Sequence, residues 1–128
     1  MPDVPFLCDF PRALWIGTEE PYGELVGYLA THRGATQTVL RTLSYVDGAH
    51  LARRATMPAL FSVGLMDSVC PPSTVYSAYN AWSGTKQIRE YRYNGHEGGA
   101  SFQVTEQLDG FASCSGTDPP HRPSGREP

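Results

Sequence analysis

The run Ala59-Leu60-Phe61-Ser62-Val63-Gly64-Leu65-Met66 is almost wholly apolar, with Pro58 before it and Asp67, Cys70, Pro71 and Pro72 after it. A short apolar run between such punctuators reads as a strand buried on both faces, as the strands of parallel sheets are. Asp67 then stands at the carboxyl end of that strand, the edge where open α/β sheets gather ligand-binding and reactive groups. A second strand-like run, Gln87 to Tyr93, leads into Asn94-Gly95-His96-Glu97-Gly98-Gly99. An Asp and then a His therefore close two successive strands.

The rest of the chain supplies helices to flank such a sheet. Val4 to Asp9 is a short apolar strand candidate opened by Pro5, and without a neighbour it leaves an exposed sheet edge. Pro11 to Ile16 reads as a short helix with Pro in its first turn. After Pro21, the spacing of Tyr22, Leu25, Val26 and Leu29 makes one apolar helix face, and Gly34 behind His32-Arg33 is a stop. Thr36 can cap a helix carrying Val39, Leu40, Leu43 and Val46, and Asp47-Gly48 breaks it and can cap a short helix to Arg54. Pro71-Pro72 fix a turn, and Ser73 or Thr74 can cap a helix whose inner face is Val75, Ala78, Tyr79 and Trp82. Gly98-Gly99 allow a tight turn before a last helix near Ser101, with Phe102, Val104, Leu108 and Phe111 as its apolar residues.

Length predicts one domain, over residues 1–113, with a tail from Cys114 to Pro128. That tail is rich in Ser, Gly, Pro, Asp and Arg, buries too little to offset its ordering entropy, and is expected to be disordered. A net charge of −3 offers no footprint for nucleic acid or an anionic membrane. No apolar run approaches the roughly 20 residues of a membrane-spanning helix. The start Met1-Pro2-Asp3 shows no signal peptide. Cys8, Cys70 and Cys114 are odd in number and widely spaced, which predicts reduced thiols in the cytoplasm. No Cys-x-x-Cys or His-x-x-x-His pair argues for zinc.

Each candidate has a plainer reading beside the chemical one. Asp67 alone would be a turn residue capping the next helix. It is a poor nucleophile-elbow Asp, because Leu65 and Val69 stand where that strained turn needs small residues. His96, set among glycines after a strand, is the general-base candidate; His32, His50 and His121 read as structural or solvated. Glu97 reads as a local hydrogen-bonding group before a substrate contact. Cys70 reads as packing, since a nucleophilic Cys needs a depressed pKa. Tyr22, Tyr76, Tyr79, Trp82 and Tyr91 are core candidates before they are sugar platforms.

The order Asp then His is that of the last two members of the α/β-hydrolase triad Ser, Asp/Glu, His. Gly64-Leu65-Met66-Asp67, Cys70-Pro71-Pro72-Ser73-Thr74 and His96-Glu97-Gly98-Gly99 carry a closer likeness. With Val4 to Cys8, Thr42 to Tyr45 and Pro58 to Phe61, they resemble the acetyl xylan esterase / cephalosporin-C deacetylase family, collinearly from Asp3 to Gln107. The resemblance implies the C-terminal portion of an α/β-hydrolase, parallel strands with flanking helices. It implies that Asp67 and His96 are triad members acting on acetyl esters of xylo-oligosaccharides and on the acetyl group of cephalosporin C. It implies no metal or organic cofactor, an acetylated oligosaccharide or small acetyl ester as partner, and a homo-oligomer. The family's serine lies in a Gly-x-Ser-x-Gly elbow, and no serine among these 128 residues has Gly on both sides at that spacing. The competing expectation is a catalytically inactive fragment or pseudoenzyme, at most an interaction module.

Overall fold

Phe61 to Gly64 have no exposed face, and one edge of this stretch pairs with a second strand. The computed structural model describes residues 2–17 and 19–115. Strand β1 (Ala59–Gly64) lies parallel to β2 (Lys86–Tyr91), in a register that sets Ala59 against Lys86 and Gly64 against Tyr91. The crossover between them is helix α5 (Pro72–Ala81), which starts with Pro at its first position, where no N–H is needed. Pro71 occupies the cap position and no side chain caps the helix; Thr74 Oγ1 instead donates to the Pro71 carbonyl at 2.8 Å. Val75 and Ala78 are buried against β1, with Tyr79 and Trp82 half-buried as the periodicity predicts. Phe61 meets the Tyr79 and Trp82 rings edge-on, each with centroids 5.4 Å apart. Burying a Phe contributes about 2–3 kcal/mol, which makes this trio a main support of the sheet.

Before β1 come α1 (Phe10–Ile16), α2 (Tyr22–Thr31), a single 3₁₀ turn (Arg33–Ala35), α3 (Thr36–Leu43) and α4 (Gly48–Ala52). Asp9 caps α1, accepting from Arg12 N–H at 3.2 Å. Asp47 caps α4 as expected, accepting from Ala49 N–H at 2.8 Å, and also accepts from the N–H groups of Asp9 and Phe10, each at 2.9 Å. One buried carboxylate thus joins the starts of α1 and α4. Thr36 opens α3 without a side-chain cap bond. Helix α2 keeps the expected period, though Val26 is exposed; α3 ends at Leu43, short of Val46, which lies in the turn that follows and is exposed.

Val4 to Asp9 is not a strand. Val4, Leu7 and Asp9 have φ of 39°, 53° and 53°, outside the strand region. The stretch lies as an irregular strap along β1: Ser62 N–H donates to the Pro2 carbonyl at 3.2 Å, and Val4 N–H donates to Ser62 Oγ at 3.0 Å. Ser62 Oγ in turn donates to Asp3.

The last helix, α6 (Ala100–Ser115), reaches two residues into the segment expected to be disordered; residues 116–128, His121 included, lie outside the described residues. Its apolar residues Phe102, Val104 and Leu108 are exposed, and over residues 100–110 the buried residue is Gln103. Among the described residues no helix is long and apolar enough to cross a membrane.

Candidate active site

The two strand ends meet. β1 finishes at Gly64, and a turn follows in which Asp67 N–H donates to the Gly64 carbonyl at 3.3 Å. The loop after β2 crosses directly over this turn: Leu65 N–H donates to the Tyr91 carbonyl and Met66 N–H to the Asn94 carbonyl, each at 3.0 Å. A Cβ on Gly64 would collide with the carbonyls of Gly95 and Asn94, so the approach depends on glycine there. Leu65 and Met66, apolar and expected in the strand, belong to the turn and are exposed.

This crossing sets Asp67 against His96. Nδ1 of His96 lies 3.1 Å from Oδ2 of Asp67. The Asp67 side chain is wholly buried, whereas that of His96 is 53% exposed. Oδ1 of Asp67 accepts from the N–H groups of Val69 and Cys70, both at 2.8 Å. A buried carboxylate needs donors to offset its lost hydration, and this one has three. Because a carboxylate only accepts, His96 Nδ1 carries the proton of that contact and Nε2 is left as the basic nitrogen. His96 lines an open cleft of about 270 Å³ together with Asp3, Val4, Phe6, Val69 and Glu97.

The neighbours have mostly structural parts. Glu97 accepts from Asn94 Nδ2 at 3.1 Å, and hydrogen bonds from backbone N–H groups and from Asn94 hold its carboxyl below the ordinary value. Cys70 is buried; burial first, and the Asp67 charge second, push its thiol up to about 12. A thiol held so firmly in its protonated form is no nucleophile near neutral pH. Asp67, Cys70 and His96 bring ligand atoms within 4.8 Å of one another. That trio suits a metal poorly, since both Asp67 oxygens already accept hydrogen bonds and the thiol would have to ionise. His32 bonds the Tyr28 carbonyl and His50 that of Ser44, both at the surface and away from the pair.

Sequence reasoning brought together Asp67 and His96 and missed what holds them. The two N–H donors to Asp67 are backbone groups, visible only as the turn that Asp-x-x-x-Pro favours. The strap residues of the cleft were expected in a strand.

The family model described as Acetyl xylan esterase (AXE1) matches residues 1–113. The chain belongs to the acetyl xylan esterase family. An acetyl xylan esterase from Paenibacillus sp. R4 is similar with a TM-score of 0.81 and 35% identity, over 87% of this chain and 36% of that one. Acetyl xylan esterase 1 from Thermoanaerobacterium sp. JW/SL YS485 is similar with a TM-score of 0.73 and 35% identity, over 83% of this chain and 35% of that one. Acetyl esterase Axe7A of Xylanibacter ruminicola is 28% identical over 96 residues, 66% of this chain and 22% of that protein. The chain thus spans little more than a third of these solved relatives and about a fifth of the curated one. The α/β architecture expected from the sequence, parallel strands with flanking helices, is that of acetyl xylan esterases.

Proposed function

We propose that this chain carries the base and its orienter for a serine-type deacetylation of acetylated carbohydrates, xylo-oligosaccharides foremost, with the acetyl group of cephalosporin C as a second substrate. The observation that carries the reading is the 3.1 Å contact between His96 Nδ1 and the buried Asp67 carboxylate beside an open cleft. His96 Nε2 takes the proton from a serine hydroxyl as it attacks the acetyl carbonyl, then gives it to the leaving alkoxide. Water, deprotonated by the same nitrogen, releases acetate from the acyl-serine. Asp67 keeps the imidazole in the required tautomer.

The serine is the part these 128 residues do not supply in a Gly-x-Ser-x-Gly elbow. Taken alone, the chain therefore has a base without the nucleophile it serves, and this observation favours the second reading, a non-catalytic interaction module. The unpaired thiols of Cys8 and Cys70 support a reducing, cytoplasmic setting, and the family likeness supports assembly with further copies.

Hydrolysis of p-nitrophenyl acetate separates the two readings. The 128-residue chain should be no faster than its His96→Ala variant, beyond weak imidazole catalysis. Adding a serine-elbow fragment of a related esterase should restore saturable turnover, and His96→Ala in this chain should abolish it. Turnover that survives His96→Ala in the reconstituted mixture would sink the assignment.

A further inference from the structure

We infer that the side chain of Tyr91 is a positioning residue for the Asp67–His96 pair. The inference rests on the reading of that pair as orienter and base. Tyr91 is the last residue of β2 and sits where both loops are tied. Its carbonyl accepts from Leu65 N–H, in the turn that carries Asp67, and from Asn94 N–H, in the loop that carries His96, at 3.0 and 3.3 Å. Its ring covers Gly99, where a Cβ would collide with the ring carbons and the hydroxyl. Gly99 therefore stays glycine because Tyr91 occupies the space a side chain would need.

The phenol completes the clamp. Tyr91 Oη–H donates to Gln103 Oε1 at 2.9 Å. Burial raises the phenol above its ordinary value, which keeps it a donor. Gln103 is fully buried, and its Nε2 has no hydrogen-bond partner among the described residues. Tyr91 thus supplies the hydrogen bond that orients this amide. The backbone of Gln103 and of Phe102 hangs on the Gly99 carbonyl, at 3.3 and 2.9 Å, so the first turn of α6 and the end of the His96 loop move together. A buried amide with an unpaired donor costs stability. A buried amide that is half unpaired, bonded to Tyr91 and one turn from the Gly99 carbonyl, fits a part in placing the loop more than a part in holding the core.

That difference gives the test. In the 128-residue chain labelled with ¹⁵N, the His96 Nδ1–H proton, identified by its loss in His96→Ala, reports the contact with Asp67 directly and needs no esterase activity. Its exchange with solvent should quicken by about tenfold or more in Tyr91→Phe, which removes one hydrogen bond and little volume. Gln103→Met should quicken it too, while leaving the urea midpoint unchanged or higher because the unpaired amide is gone. Wild-type exchange in both variants would overturn the inference, as would a change that merely tracks the urea midpoint. Absence of the proton signal from the wild-type chain would overturn it as well. Failure of the reconstituted esterase, with these exchange results as expected, would count against the functional reading alone.

Discussion

Asp47 and Asp67 are both buried carboxylates, and each is held by N–H donors, but to different ends. Asp47 accepts from three backbone N–H groups, of Asp9, Phe10 and Ala49, and from nothing chemical. Asp47→Ala leaves all three N–H groups without their acceptor, and should lower stability by about 2–4 kcal/mol in urea unfolding. An effect within experimental error would show that the α1–α4 junction does not depend on it. Asp67 spends one oxygen on the backbone and offers the other to His96. Asp67→Asn can keep an amide oxygen toward Val69 and Cys70, and should fold. Its NH₂ group then faces His96 Nδ1 as a donor, so the neutral imidazole should move its proton to Nε2. Ring ¹⁵N shifts report this tautomer, and an unchanged Nδ1–H form would contradict the orienting role. The sequence made Asp67 and His96 legible because each follows a strand. It showed Asp47 only as a cap for α4, because its other donors lie 37 and 38 residues away. It showed Tyr91 only as a core aromatic, since nothing local says that the ring rests on Gly99.

At the scale of elements, patterns decided by local chemistry were readable and those decided by a neighbour were not. The two prolines place the start of α5, and its buried face follows from spacing alone. The extent of β1 does not follow from apolarity: Leu65 and Met66 are as apolar as the strand, but the loop after β2 takes their N–H groups and turns the chain. Val4 to Asp9 is apolar too, and a strand needs a partner to pair with; the strap's bonds to Ser62 take its place. In α2 the period holds, with Tyr22 buried and Leu25 and Leu29 half-buried, yet Val26 is exposed. Helix α3 stops short of Val46, and Phe102, Val104 and Leu108 of α6 point to solvent, because a pattern of apolar residues shows a face and not what covers it. The element that most depends on a neighbour is the end of β1. Gly64→Ala puts a methyl into the Gly95 and Asn94 carbonyls, so the loop has to lift off the strand. Such overpacking should cost about 1–3 kcal/mol in urea unfolding and break the His96–Asp67 contact. A stable variant that keeps the His96 Nδ1–H signal would show that the loop tolerates the displacement.

Among the described residues the core is three small clusters, and each holds an acid whose ionised form the fold disfavours. Cys70 lies with Val4, Val63 and Val75; Cys8 with Ala49, Phe61 and Ala78; Tyr22 with Phe10 and Ala13. Burial, before any charge nearby, pushes all three up to about 12, from ordinary values of 9.0 for the thiols and 10.0 for the phenol. Tyr22 also feels both thiols, so the clusters adjoin. Below pH 9 the folded and unfolded chains both keep these protons, and the protonated groups' contribution to stability is present in full. As pH rises from the ordinary values toward about 12, the unfolded chain releases protons that the folded chain still holds, and stability falls. The urea midpoint should therefore drop steadily above pH 9, and a chain carrying both Cys8→Ala and Cys70→Ala should show a shallower fall at its onset. If the clusters form one cooperative unit, near-ultraviolet and far-ultraviolet circular dichroism will report the same transition at every pH. A midpoint that stays level through this window would show that the thiols are not held in the buried, protonated state. Two separated transitions would show that the Tyr22 cluster under α1 and α2 folds apart from the sheet that carries Asp67 and His96.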